Sequence, residues 1–444
     1  MSRKSDLLNN IGEKLSNINI NIENIDLNSL VELKEDLLNT SDERHQSYTI
    51  HSMVDIFMIT FFAILSDCDE WVQIEMFAKK HYDWFKKFLS LNAGIPKAVT
   101  FKRVMSVVNP NEVEPILVNF LLKTLKQYQN ILNDKSKYSN EKDVYAMDGK
   151  NCNSSGRNSS KTGEIKSIQA MSIYSNNLGI CLATEFIEEK TNEIPTGPKL
   201  LSLLNLENII VTFDALNTQE KTIDTIVNQK GYYVAAVKSN QENTYEDLVN
   251  YFEDEKILKQ LKEENYCCNT EKNHSSIIKY EYYQVEDVVW LYNYKKWRNI
   301  KSIGCVKKTI SNIITNKTTV ETRYYISNLS CNIIEFSNAI RKEWSIENKL
   351  HWHLDLTFKE DNSKTFEKNA QKNLNIIRKF CLSILKLVKD IYRLSLKNIR
   401  KYLCMDFENE IEKIFTYLNP EKVKELVNST NSQSVDKVQY SFIL

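Results

Sequence analysis

Two short apolar runs in this chain stop at an aspartate: Val144-Tyr145-Ala146-Met147 at Asp148, and the β-branched run from Asn208 to Phe213 at Asp214. These strands alternate with helical segments (Lys199 to Leu206, Thr218 to Lys230), and a further buried strand follows from Tyr232 to Val237. The alternation predicts a mixed α/β sheet. An open α/β sheet exposes its binding edge at the carboxyl ends of its strands, so both acids are expected there. Two more strands, Ile168 to Ser175 and Leu178 to Phe186, flank Asn176-Asn177, a dipeptide suited to a hairpin turn.

Before residue 133 the pattern is helical instead. Residues 1–40 form a polar, acidic lead with weak helical periodicity (Leu27, Leu30, Val31, Leu37). Ile50, Val54, Phe57, Met58, Phe61 and Leu65 then recur at helical spacing, and further helices are predicted over Trp71 to Phe88, Phe101 to Val108 with Thr100 as cap, and Val113 to Leu132. The predicted organisation is therefore a helical N-terminal domain over 41–133, a charged linker from Asn133 to Glu141, and the first part of an α/β core over 142–244. A β-rich insertion follows over 245–330, opening with the polar helix Glu242 to Glu264. Helices from Ile333 to Leu356 and Ala370 to Leu394 return to the core over 331–402. An extension over 403–444 ends in a poorly packed tail from about residue 420.

Composition sets limits. The chain has 58 basic and 58 acidic side chains, which argues against a simple polyanion binder. The average hides a gradient: residues 1–50 carry five basic and nine acidic groups, whereas Lys364 to Lys401 spans eleven basic and two acidic ones. None of the nine cysteines forms a C-x-x-C pair, so a zinc ribbon or thioredoxin-like site has no support, and reduced thiols in a cytosolic protein are expected. The most apolar stretch, Ile56 to Leu65, is half the ~20 residues a membrane span needs.

A third carboxylate is sought on the later helices, because two-metal phosphoryl chemistry needs hard oxygen ligands brought together from rigid elements. On the helix through Trp344, residues 340, 344, 347 and 351 share one face. Glu347 thus follows the apolar anchors Ile340 and Trp344 and is expected to point at the sheet. Asp355 and Asp361 are rival candidates. His351 and His353 flank Trp352. His351 and Asp355 are expected to support the ligands from behind, or simply to pack the helix. A zinc site lacks further His or Cys ligands at a useful spacing.

These residues also fall into blocks that resemble a known family. Ala146-Met147-Asp148-Gly149-Lys150 is similar to the first-aspartate motif of ISAs1-type insertion-sequence transposases, the group related to H-repeat proteins. Glu189 to Pro195 resembles the family's next block, Val211-Thr212-Phe213-Asp214-Ala215 with Gln219 its second-aspartate motif, and Val237 to Gln241 the following strand and turn. Tyr324 to Ser327, Trp344 to Asp355 and Thr357 to Asp361 complete the series. Gly94-Ile95-Pro96 and Thr100 to Val104 resemble the family's associated helical domain. The likeness spans roughly residues 41–400. One departure stands at Asn153, where the family commonly has Arg; Arg157 is a possible substitute.

The resemblance implies a ribonuclease H-like core and a catalytic triad of Asp148, Asp214 and Glu347 holding two Mg²⁺ or Mn²⁺ ions. It also implies recognition of terminal inverted repeats in double-stranded DNA, cleavage there, and strand transfer to target DNA by at least a homodimer. Lys150, Lys238, Arg341 and Lys349 are candidate phosphate contacts. On the basic helix after Lys364, Lys368, Lys372, Lys379 and Lys386 are expected to face outward, either along DNA or as a solubilising surface. A metal nuclease without strand transfer and an inactive DNA-binding relic are the alternative readings.

Overall fold

The central strands are buried along nearly their whole length, so one sheet is covered on both faces. The computed structural model describes residues 6–428 apart from 19, 21, 46, 48, 132–141, 154–155, 160–162, 166, 188–193, 274 and 364. The linker from Asn133, residues 189–193 of the second block and the tail beyond 428 therefore lie outside the described residues.

The strands are β1 (Val144–Cys152), a small hairpin β2 (Arg157–Ser159) and β3 (Gly163–Ile165), β4 (Ile168–Ser175), β5 (Cys181–Ile187), β6 (Ile210–Phe213), β7 (Tyr232–Val237), β8 (Tyr266–Asn273), β9 (Ser276–Val285), β10 (Ser302–Asn312) and β11 (Thr318–Ser327). Nine of them join in the order β5-β4-β1-β6-β7-β11-β10-β9-β8. β4 runs antiparallel to both β5 and β1, whereas β1, β6 and β7 are parallel. Three antiparallel strands followed by two parallel ones are the ribonuclease H-like arrangement that the resemblance implied.

The β-rich insertion is present, but it is not a separate layer. β11 pairs antiparallel with β7, Tyr324 opposite Val237 and Ser327 opposite Val234, so the inserted strands extend the core sheet. Without β11, β7 would be an open edge with unpaired backbone groups. Sequence spacing finds the strands but not the partner across the sheet.

The helices are α1 (Leu7–Leu15), α2 (Asn28–Leu38), α3 (Met53–Leu65), α4 (Trp71–Lys80), α5 (Tyr82–Phe85), α6 (Ala98–Met105), α7 (Pro110–Ile131), α8 (Thr196–Leu201), α9 (Glu220–Asn228), α10 (Glu242–Glu253), α11 (Glu255–Glu264), α12 (Ile333–Glu343), α13 (Trp352–Leu356), α14 (Lys368–Tyr392), α15 (Leu396–Met405) and α16 (Phe407–Tyr417). One sheet face, with Met147, Val211, Phe213, Tyr233, Ala235 and Ile326, packs under α8 to α11. The other face, with Val144, Ile210, Val234 and Tyr325, packs on Phe336, Ala339 and Ile340 of α12. At the β4–β5 end Tyr174, Ile180 and Leu182 join a continuous core shared by α1 to α7 and α14 to α16. No described helix is long and apolar enough to cross a membrane.

Several expectations shift in detail. The predicted helix over Trp71 to Phe88 breaks at His81, and the polar helix Glu242 to Glu264 breaks at Asp254, whose side chain caps α11 by accepting from the Lys256 N–H. The third helix starts at Ala98 after Lys97, so Thr100 lies inside it and is not its cap. The acidic lead is docked: α1 buries Leu7, Leu8, Ile11 and Leu15, and α2 buries Leu30, Leu33 and Leu37.

The outward basic face on α14 is overturned at two of its four lysines, Lys368 and Lys372 being half-exposed. Lys379 and Lys386 are both 6% exposed, because α14 is enclosed between the sheet and the N-terminal helices. Lys379 Nζ donates to Ser172 Oγ at 2.9 Å and Thr184 Oγ1 at 2.7 Å, and Lys386 Nζ donates to Tyr174 Oη at 3.1 Å. A buried ammonium needs such partners. Burial pushes the Lys386 ammonium down to about 8, against the opposing charge of Asp6.

Candidate metal centre

β1 and β6 deliver the two aspartates. Met147 pairs with Phe213 in the parallel register, so Asp148 and Asp214 follow side by side where the β1–β6 pairing stops. β6 ends there, but β1 continues to Cys152 against β4, so Asp148 lies within its strand and not at its end as the sequence suggested. The Gly149 N–H donates to Asp148 Oδ1 at 2.9 Å. Asp214 Oδ1 accepts from the Asn217 N–H at 3.1 Å and from Asn217 Nδ2 at 3.0 Å. Each carboxylate is thereby oriented by local donors before anything binds.

Glu347 arrives differently from the straight-helix expectation. α12 ends at Glu343 and the chain re-enters as a π-helical turn, Glu347–His351, closed by the Trp352 N–H on the Glu347 carbonyl. Ile340 is buried against the sheet as predicted. Trp344 also packs on the sheet, beneath the Arg323 guanidinium of β11, 5.1 Å from its ring centroid, and beside Tyr280 of β9. Single π turns recur at functional sites because the wider turn re-aims side chains. Here it directs Glu347 and the buried His351 to the same point. His351 Nδ1 lies 3.2 Å from Glu347 Oε2 and 3.6 Å from Asp148 Oδ2.

One ligand atom each from Asp148, Glu347 and His351 falls within 4.8 Å of the others. Asp214 is outside that cluster, its Oδ1 turned to Asn217, but its charge still acts on the site. Burial pushes the Asp148 carboxyl up, and repulsion from Asp214 and Glu347 adds to this, while His351 and the Gly149 N–H oppose it. The His351 hydrogen bond holds Glu347 below the usual carboxylate range. Crowded carboxylates with an imidazole between them suit a divalent cation, which would relieve the repulsion.

The remaining candidates separate. Lys150 is only 10% exposed and its Nζ meets Asp355 at 2.7 Å, Glu360 at 3.3 Å and Asp361 at 4.0 Å. Burial works against the Lys150 charge, but those carboxylates more than offset it and push its pKa up. Lys150 is thus committed inside the protein, and Asp355 is turned to Lys150 and not to the Asp148–Glu347 pair. Asn153 donates to Asp361 Oδ2 at 3.2 Å. Arg341 pairs with Glu271 of β8, and Lys349 pairs with Asp6 at 3.1 Å. Lys238, at the end of β7, is exposed.

Glu343 was missed by the sequence reading. It stands one helical turn before Glu347, and its Oε2 is buried without a hydrogen-bond partner. Burial pushes its carboxyl up to about 8; Asp214 and Asp148 add to the rise and Arg323 opposes it. Its spacing of four from Glu347 was the available signal. An acid raised in the folded state stabilises fully below its ordinary value of 4.5, and that contribution is lost as pH rises towards about 8. In EDTA, Glu343→Gln is expected to flatten this loss and to raise the thermal midpoint above pH 7 by at least ~2 °C. Parallel pH profiles for parent and variant would refute the burial account.

Comparison with known proteins identifies the family. Residues 139–384 match the family described as "Transposase DDE domain", and residues 35–121 match "DDE_Tnp_1-associated". The "H repeat-associated putative transposase YhhI" of Escherichia coli (strain K12) is 30% identical over 384 residues, covering 85% of this chain and 96% of its own length. The H repeat-associated YbfD of the same strain is 31% identical over 248 residues, 55% of this chain and 90% of its own. Among solved structures, a piggyBac transposase synaptic complex with hairpin DNA aligns at 12% identity and a TM-score of 0.37, over 92% of this chain and 80% of that one. By the family match over more than half its length, and by the extent of its likeness to YhhI, this chain belongs to the DDE-domain transposases, on the H-repeat-associated, ISAs1-type branch.

Proposed function

We propose that the chain cleaves DNA at the inverted-repeat ends of its element and transfers the freed strand to target DNA, using Asp148, Asp214 and Glu347 with two Mg²⁺ or Mn²⁺ ions. The observation that carries this reading is the adjacent placement of Asp148 and Asp214 on paired parallel strands, with Asp148 converging on Glu347 and His351. Divalent ions bound there supply Lewis-acid polarisation of the phosphate and lower the pKa of the attacking water. Asp148 Oδ2, Glu347 Oε2 and His351 Nδ1 are the converging donors, Asn217 keeps Asp214 oriented, and exposed Lys238 at the rim is available to a phosphate. In the first step a water oxygen bonds to phosphorus and the P–O3′ bond breaks, leaving a 3′-hydroxyl. In the second, that hydroxyl oxygen bonds to a target phosphorus and displaces the target's own 3′-oxygen.

Two ends must be held together, so a homodimer on double-stranded DNA is part of the proposal, with the cytoplasm as its compartment. The test is incubation of the purified chain with Mg²⁺ or Mn²⁺, a duplex carrying the element's terminal repeat, and a plasmid target. Joined products are expected. Hydrolysed ends without any joined product would leave a nuclease, and no cleavage with retained binding would leave a relic.

A further inference from the structure

The segment carrying Glu347 is bracketed by polar contacts from parts of the chain that the chemistry does not otherwise use. On one side stands the β4–β5 turn. Asn176 Nδ2 donates to the Val144 carbonyl at 3.0 Å and to the Lys342 carbonyl at 3.1 Å, and Ser345 Oγ donates to Asn176 Oδ1. Asn177 Oδ1 accepts from Lys342 Nζ at 2.9 Å. One turn therefore holds both the start of the Asp148 strand and the approach to Glu347.

On the other side stands the N-terminal helix, which precedes the family-matched region beginning at residue 35. Asp6 is 2% exposed. It caps α1 by accepting from the Asn9 N–H at 3.1 Å, and its Oδ2 takes Lys349 Nζ at 3.1 Å. α1 is seated firmly enough to serve as an anchor. The Leu7 and Leu8 N–H groups donate to the carbonyls of Asn177 at 2.7 Å and Leu178 at 3.2 Å. A Cβ on Gly12 would lie 2.3 Å from the Leu387 carbonyl oxygen, and one on Gly179 would lie 2.6 Å from Asp6 Cγ. Both glycines permit this close approach, and Gly179 also holds φ +85°. Lys349 is the middle residue of the π turn, two positions from both Glu347 and His351.

We propose that residues 6–15 form an intramolecular strap whose Asp6–Lys349 ion pair positions the π turn, holding Glu347 and His351 opposite Asp148. Lys349 is thus a positioning residue, and its charge is directed into the protein and not at DNA. A π turn is a marginal hydrogen-bond pattern that easily relaxes to an α-helix, and relaxation would swing Glu347 away from the aspartates. The inference rests on the metal-site reading above.

The experiment is direct Mn²⁺ titration of the purified full-length chain by electron paramagnetic resonance, without DNA, alongside thermal melting. Asp6→Asn keeps the helix cap, since Asn caps as well as Asp, but removes the charge. Lys349→Met touches only the other partner, and Lys349→Arg restores the charge. Both Asp6→Asn and Lys349→Met are expected to weaken Mn²⁺ binding about tenfold, as loss of an orienting partner does, with melting confirming that each variant is folded at the titration temperature and Lys349→Arg recovering affinity. Unchanged Mn²⁺ affinity in both variants overturns the strap, as does a loss that Lys349→Arg fails to restore. Asp148→Asn is the control: if it too leaves Mn²⁺ binding intact, the metal-site reading itself fails and the strap with it.

Discussion

Asp148→Asn is expected to reduce DNA strand cleavage by at least ~10³-fold, a loss of about 4 kcal/mol of transition-state stabilisation, while DNA retention in a gel shift changes by less than about twofold. The substitution is isosteric and keeps an oxygen for the Gly149 N–H. What it removes is the negative charge at the point where Glu347 and His351 converge. Asp214→Asn is expected to act in the same direction, since its neighbour Asn217 would still hold the side chain in place. Strand cleavage persisting within about tenfold of the parent in either variant would sink the assignment of these carboxylates. A parallel loss of DNA binding would instead point to misfolding or to a lost DNA contact, and melting of each variant separates those outcomes.

The largest expected effect on stability lies far from the cleavage chemistry, at Arg400. This side chain is fully buried. Its Nε donates to the Ile64 carbonyl at 3.1 Å, its Nη1 to the Thr357 carbonyl, and its two terminal nitrogens pair with Asp67 at 3.1 Å and Asp69 at 2.6 Å. The guanidinium also lies over the Phe358 ring, 4.4 Å from its centroid. Arg400→Ala would take the fork away from Asp69 and from the Ile64 and Thr357 carbonyls, and would leave Asp67 only Lys359 at 3.5 Å, which in this largely buried site costs roughly 3 kcal/mol. Arg400→Lys is expected to recover only part of this, because an ammonium cannot span the fork. Urea unfolding followed by circular dichroism measures both. A shift of Arg400→Ala below about 1 kcal/mol would show that the buried network does not carry this stability.

Arg400 also shows how far composition can mislead. Lys364 to Lys401 is the most basic stretch of the chain, and a basic stretch near the end of a DNA-processing protein invites a DNA-binding role. In the fold, Arg378 is buried against Glu360, Lys379 against hydroxyls, and Arg400 against Asp67 and Asp69. The same holds nearer the centre, where Lys150 faces three carboxylates and Lys349 faces Asp6. Of the four residues named as phosphate contacts, Lys238 alone is exposed without an ion-pair partner among the described residues.

Much of the architecture was nonetheless readable in short windows. Strand alternation and helical spacing are local properties, set within ten or so residues by which side chains must leave water. So the order of helices and strands, the adjacent acids after Met147 and Phe213, and the Asn176-Asn177 turn follow from the amino-acid order, although β1 runs past its acid to Cys152. The family blocks added Glu347, which helix-face geometry supported for a reason the structure modifies: a π turn, not a continuous helix, aims it. What no local window held was the partner of each charge and of each edge strand. Lys349 meets Asp6, His351 meets Asp148, and β11 closes on β7 across separations of roughly ninety residues or more. Those pairings are chosen when the sheet and helices pack, because a buried charge or an open strand edge is stable only with the particular partner that the packing brings to it.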